Sequence, residues 1–198
     1  MTTKHRCYYW GEYTPWTYTY GQNAAYSETN NLIADLKVSP AFHGTSDWVR
    51  KQEAVDSVGR AFAKFWRWHE LAEECLLVPI PSSRRRDDPL YDDRIEQVIG
   101  RICAHAGIAL DYRPLLESDG SLDASHSAEQ RPKLAQLARS LLIKHDLVPS
   151  TPPRMVFLFD DVLTTGAHFT VCCDRIQGLF PGSRIVGNFV ARSTRPEV

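Results

Sequence analysis

Hydrophobic positions recur along the chain in short runs that alternate with stretches at helical spacing. From Asp47 to about Leu71, the residues Val55, Val58, Phe62, Phe65 and Trp66 fall three and four positions apart, which predicts an amphipathic helix. Leu76 to Ile80 is apolar, ends in a proline-bounded turn and is too short for a helix, so it predicts a buried strand. Ile95, Val98, Ile99, Ile102 and Cys103 give a second helical stripe ending near Gly107. Ile108 to Tyr112, with Leu115 and Leu116, predicts another strand. Glu117 to Ser127 is polar and contains Gly120, the mark of a mobile loop. Helical periodicity then returns at Leu134, Leu137, Ala138, Leu141 and Leu142. Met155 to Phe159 is the most hydrophobic run, followed by a helix from about Phe169 to Phe180 and a last strand from Arg184 to Ala191.

Strands alternating with helices predict an α/β fold, a Rossmann-like parallel sheet flanked by helices. The amino-terminal part differs. Residues 8 to 20 hold seven aromatics, and Trp16 to Tyr20 alternates with period two, which predicts a β-hairpin or meander. Residues 1–44 are therefore read as an aromatic, hood-like segment and 45–198 as the core, within one compact domain. The segment is expected to pack on the core; the alternative is that it stacks a nucleobase.

At 198 residues and 43% hydrophobic, the chain suffices for one core. The formal charge of -1 gives no global field toward nucleic acid or anionic membrane. Five cysteines without a Cys-x-x-Cys pair fit a reducing, cytoplasmic setting. No signal-like start and no run near the roughly 18 apolar residues of a membrane span is present, so a soluble protein is expected.

The chemistry gathers after the Met155 to Phe159 strand. In an open parallel sheet, ligands bind beyond the carboxyl ends of strands, where loops open into helices whose first N-H groups lack partners. Asp160 and Asp161 stand there, and Thr164, Thr165, Gly166 and Ala167 open the next helix. Threonine hydroxyls and backbone N-H groups suit a phosphate, glycine permits its approach, and two carboxylates suit vicinal ribose hydroxyls. One turn would thus grip both ends of a ribose 5-phosphate. The plainer reading is that the acids cap a strand and helix or hold Mg2+ in another phosphate enzyme. No Walker lysine follows the glycine, which counts against a nucleoside triphosphatase.

The segment Phe159 to Ala167 resembles the phosphoribosyl pyrophosphate (PRPP) loop of type I phosphoribosyltransferases. Leu76 to Arg86 resembles the strand and pyrophosphate loop of the ComF-like branch, which typically shows Val-Pro-Val-Pro and an arginine-rich turn. Leu32-Ile33 with Leu36-Lys37 resembles that branch's Leu-Ile, Leu-Lys helix, and Ser127 to Arg131 takes the place of its flexible loop. The similarity spans about residues 32 to 191. Two departures stand out. Cys7 is alone where the branch often has a zinc ribbon, so no structural zinc is expected. Leu90-Tyr91-Asp92-Asp93 stands where the branch reads Arg-Gly-Phe-Asn-Gln, with acids for two amides.

The resemblance implies a type I phosphoribosyltransferase fold and a Mg2+-dependent transfer of phosphoribosyl from PRPP to a nitrogenous acceptor. The 5-phosphate would lie at Thr164, Thr165, Gly166, Ala167 and His168, and the pyrophosphate at Ser82, Ser83 and Arg84. Asp160, Asp161, Arg131 and Lys133 form the expected catalytic set, the latter two, with His126, as cations closing over pyrophosphate. Their plain reading is ordinary solvated charge. Likewise Arg84 to Arg86 beside Asp87 and Asp88 read plainly as a solvated turn of ion pairs. Mg2+ is expected to be held through PRPP and water near Asp160 and Asp161, without a direct protein ligand. A homodimer is the default assembly. The rival function is a non-catalytic PRPP or nucleotide sensor or a partner-binding module, since the ComF-like branch is linked to DNA uptake and a fold does not dictate function.

Overall fold

The computed structural model describes residues 5–122 and 134–195. Its centre is two long parallel strands, β6 (Met155–Leu163) and β7 (Arg184–Ser193), in register from Met155 opposite Arg184 to Leu163 opposite Arg192. Strand β3 (Cys75–Pro79) pairs in parallel with the other side of β6. On the far edge of β7, β1 (Arg6–Tyr8) and β2 (Gly11–Tyr13) follow one another, both parallel to it. All pairings in this sheet are parallel, which demands helices on both faces because both bury apolar side chains.

Alternation along the strands sorts those side chains. Leu77, Phe157, Phe159 and Val186 face a core built with α1 (Glu28–Leu36), α2 (Ser46–Phe65) and α4 (Arg94–Ala106). Leu76, Val156, Leu158 and Ile185 face α6 (Ala167–Leu179). The sheet is thus sandwiched, as the alternation of strands and helices predicts. A small antiparallel ribbon, β4 (Leu116–Ser118) with β5 (Leu141–Ile143), joins the α6 side next to α5 (Leu134–Ser140). Helix α2 packs closely on α4: a Cβ on Gly59 would stand 2.2 Å from Cβ of Arg101. Among the described residues, no helix is long and apolar enough to cross a membrane.

Several local expectations are corrected. The aromatic segment is not a hairpin. Its two strands both join β7, and Trp16–Tyr18 is one turn of 3-10 helix, after which Tyr20, Gly21 and Asn23 take left-handed backbone. Tyr8 packs edge-on against Trp66, with ring centres 5.1 Å apart, and Trp10 against Phe62 at 4.6 Å, while Trp16 and Tyr20 stay exposed. Helix α2 stops at Phe65 because Trp66 turns extended to donate its indole N-H to Asn188 at 2.8 Å. A separate four-residue helix, α3 (Trp68–Leu71), follows it.

Ile108 to Tyr112 forms no regular strand. Tyr112 alone bridges to Leu77, and Pro114 then interrupts any further ladder. Leu141 and Leu142 belong to β5, not to a helix, because Leu141 and Ile143 side by side with β4 cover the α6 core. Of the loop predicted from Glu117 to Ser127, Glu117 and Ser118 lie in β4, and residues from 123 onward lie outside the described residues. Strand β6 also runs past Phe159, so Asp160 and Asp161 are strand residues.

Candidate functional site

β6 continues through the acid pair, and its two carboxylates take different partners. Asp161 follows Phe157 and Phe159 to the face of α1 and α4. There Arg94, the first residue of α4, donates to its Oδ2 from Nε at 2.9 Å and Nη2 at 2.6 Å, and Lys37 Nζ lies 3.4 Å from its Oδ1. Asp160 lines the cavity beyond the end of β6, and its charge adds to burial in pushing the Cys172 thiol of α6 up. One oxygen of Asp160 accepts the Asp161 backbone N-H at 2.8 Å.

The two acids consequently differ in protonation. Burial and then the Asp161 charge push Asp160 up to about 7. Burial would also raise Asp161, but Lys37 and Arg94 together outweigh it and hold that carboxyl well below the usual range. Asp161 is therefore the member of the pair held ionised, and Asp160 the one that takes up a proton more readily than an ordinary carboxyl.

Asp161 belongs to a longer chain of charges. Arg94 Nη1 also bonds Asp92 at 2.6 Å, and the other oxygen of Asp92 accepts Lys51 Nζ at 2.9 Å. Lys51 is fully buried and completes its shell with the carbonyls of Leu36 at 3.0 Å and Val38 at 2.7 Å. This accounts for one of the two acids in the Leu90 to Asp93 stretch: Asp92 is a counter-ion between two cations. Asp93 precedes α4 and accepts from Gln97 at 2.6 Å.

Beyond the ends of β3 and β6 lies a cavity of about 370 Å³ bounded by Lys37, Ser82, Ser83, Arg94, Asp160 and His168, among others. Ser82 and Ser83 thus meet the acid pair, and Ser118 Oγ steadies their turn by donating to the Ser83 carbonyl at 2.9 Å. Arg84 does not line this cavity. It pairs with Asp88 at 2.8 Å, Arg85 is bidentate on Asp87, and Arg86 binds Glu96, so all three arginines are engaged within the chain. Burial lowers His168 below its ordinary value, with Asp161 pulling the other way, so its neutral form is favoured.

Thr164 and Thr165 are exposed, and Gly166 stands at the helix start with φ of 78°. Together they line a second cavity, about 470 Å³, with Phe169, Asp174 and Arg192. The turn therefore divides two hollows: its threonines face one, and His168 and the carboxylates face the other. Arg131, Lys133 and His126 lie outside the described residues.

Sequence reasoning missed Lys51, Asp92 and Arg94 as site-forming groups. A signal existed for the first. Lys51 falls four positions before Val55 on the stripe of Val55, Val58 and Phe62, so a cation occupies a core position of α2.

No protein-family model matches the chain, and no curated protein does. Among solved structures, two crystal forms of a hypoxanthine phosphoribosyltransferase from Staphylococcus aureus are similar to it. The tetragonal form shows 11% identity over 73% of this chain and 75% of that one, with a TM-score of 0.45. The orthorhombic form shows 12% identity over 74% and 76%, with a TM-score of 0.41.

Proposed function

We propose that this chain binds PRPP at the carboxyl end of its parallel sheet and transfers the phosphoribosyl group to a nitrogenous acceptor, with release of pyrophosphate, as a ComF-like phosphoribosyltransferase. One observation carries the reading: Asp160 and Asp161, near the end of β6, line one cavity with Ser82 and Ser83, and the adjoining turn opens α6 through a left-handed Gly166 with Thr164 and Thr165 exposed on its other side, so ribose hydroxyls and phosphates have chemically matched partners around that turn. In the transfer, a bond forms between the acceptor nitrogen and C1 as the C1–O bond breaks, and its electron pair leaves with pyrophosphate. The chain's task is positioning and charge stabilisation, with Ser82 and Ser83 on the leaving group.

The donor set fits Mg2+ carried on the substrate. Both oxygens of Asp161 are engaged by Arg94 and Lys37, whereas one oxygen of Asp160 has no protein partner among the described residues and is free for a water of that ion. Bound Mg2+ would take up charge on the leaving pyrophosphate.

A sensor is the second reading, and the place of Arg84, Arg85 and Arg86 favours it, because none of the three lines the cavity beside Ser82 and Ser83. Calorimetry with PRPP and Mg2+ on the wild type and Asp160→Asn tests the site: the variant should bind at least about tenfold more weakly, a loss of about 1.4 kcal/mol. Equal affinity in a folded variant overturns it. Pyrophosphate release across a panel of bases then decides between transferase and sensor.

A further inference from the structure

The charge chain behind the cavity has two unlike ends. Lys51, Arg94 and Lys37 alternate with Asp92 and Asp161, three cations against two carboxylates, so a cation stands at each end. The inner end is satisfied. Lys51 is fully buried and holds two carbonyls and a carboxylate. The outer end is not. The Lys37 side chain is 43% exposed, lines the cavity, and among the described residues has one partner, Asp161 Oδ1 at 3.4 Å. Lys37 is thus the exposed cation of the chain, with Asp160 also acting on it across the cavity.

Its position is also built. Lys37 follows α1 directly, and Lys51 grips the carbonyls of Leu36 and Val38 on either side of it. Rotamer freedom remains in the side chain, but its backbone is anchored to the core. Across the same cavity stand Ser82 and Ser83, whose hydroxyls suit phosphate oxygens, while Arg84, Arg85 and Arg86 lie outside its lining and pair with acids of the chain.

We propose that Lys37 is the cation that contacts the pyrophosphate end of the ligand, opposite Ser82 and Ser83, in the place the arginine turn would have filled. This rests on the reading of the cavity as a PRPP site. A lysine serves there as a compact point charge with three donors, free to stay near Asp161 while it meets the anion.

The test titrates PRPP, inorganic pyrophosphate and ribose 5-phosphate, each with Mg2+, into the full chain as wild type, Lys37→Met and Lys37→Arg, with melting temperatures measured in parallel. Lys37→Met should bind PRPP and pyrophosphate about tenfold or more weakly and keep its ribose 5-phosphate affinity, and Lys37→Arg should restore most of the loss. Wild-type-like pyrophosphate and PRPP binding by Lys37→Met overturns the proposal while leaving the PRPP site intact. A parallel loss of ribose 5-phosphate binding also overturns it, since Lys37 would then only hold the site's shape. Wild type that binds ribose 5-phosphate but neither pyrophosphate nor PRPP leaves the phosphate turn standing and removes the role of Lys37. A wild type that binds none of the three removes both readings.

Discussion

Arg94 and Asp161 lie 67 positions apart and meet through two hydrogen bonds on a single carboxylate oxygen, at 2.9 and 2.6 Å. The pair ties the start of α4 to the end of β6, and so sets where both stand against the cavity. Its geometry also explains why Asp161 stays ionised although buried, since the guanidinium and Lys37 offset the desolvation cost.

Removing one partner should therefore be costly. Arg94→Met leaves Asp161 buried with Lys37 alone and is expected to lower stability by about 3 kcal/mol. The double variant Arg94→Met with Asp161→Asn should recover a good part of that, because no uncompensated charge remains. Urea unfolding of the two single variants and the double variant gives the coupling energy; strictly additive losses would mean that the pair is not the stabilising unit described.

Asp160 supplies a pH dependence of definite sign. Its folded-state value, about 7, lies above the ordinary carboxyl value of about 3.9, so the folded protein holds that proton more tightly than the unfolded chain. The associated stability is present below about pH 4 and is lost as pH rises toward 7. Asp160→Asn mimics the protonated acid and keeps an oxygen for the Asp161 N-H. It should melt above wild type at pH 8 and near it at pH 4. Ligand binding should run in the opposite sense, with PRPP affinity of the wild type falling between pH 8 and pH 6. An Asn variant with no pH-dependent difference in melting would remove Asp160 as the titrating group.

The strands and helices that carry strong periodicity were legible from sequence because burial on both faces of a parallel sheet demands long apolar runs. Met155 to Phe159 and Arg184 to Ala191 are such runs. The aromatic segment departs from the period-two reading because its turn exposes Trp16, Thr17, Tyr18 and Tyr20 alike and buries only Thr19, whose hydroxyl donates to the Trp16 carbonyl at 2.8 Å. At the site, the turn of Thr164 to Ala167 could be placed at a helix start from local chemistry alone. The charge chain could not, since Lys51, Asp92, Arg94 and Asp161 come from α2, the segment before α4, α4 itself and β6, and only the fold brings them together. Nor could the different partners of Asp160 and Asp161, since those of Asp161 come from α4 and the end of α1.

The buried lysine gives a third expectation. Lys51→Met keeps the length of the side chain but leaves the carbonyls of Leu36 and Val38 without their donor, at a cost of about 1–3 kcal/mol per unsatisfied group. It also removes one counter-ion of Asp92, which retains Arg94. Thermal and urea unfolding should both register the loss, and amide exchange should rise first around the end of α1. Unchanged stability would show that the lysine is a tolerated passenger on the apolar stripe rather than the anchor of Lys37.

The last expectation concerns the turn that opens α6. Gly166 has φ of 78°, and a Cβ built there would meet nothing nearer than Leu163 Cδ1 at 3.9 Å. Space is therefore not what excludes a side chain; conformation is, because left-handed backbone costs an ordinary residue about 1–2 kcal/mol, and a β-branched one resists it most. The Gly166 carbonyl also receives both the N-H and the hydroxyl of Thr170, at 2.8 and 2.9 Å, so relaxing the strain by rotating this residue would undo the first turn of the helix. Substitution should then weaken ribose 5-phosphate binding in the order Gly166→Asn, Gly166→Ala, Gly166→Val, from least to greatest loss, since Asn visits left-handed backbone most readily of the three. Calorimetry on the three variants, with circular dichroism to confirm folding, reads that order directly. A folded Gly166→Val that binds ribose 5-phosphate as tightly as wild type would move the phosphate away from this turn.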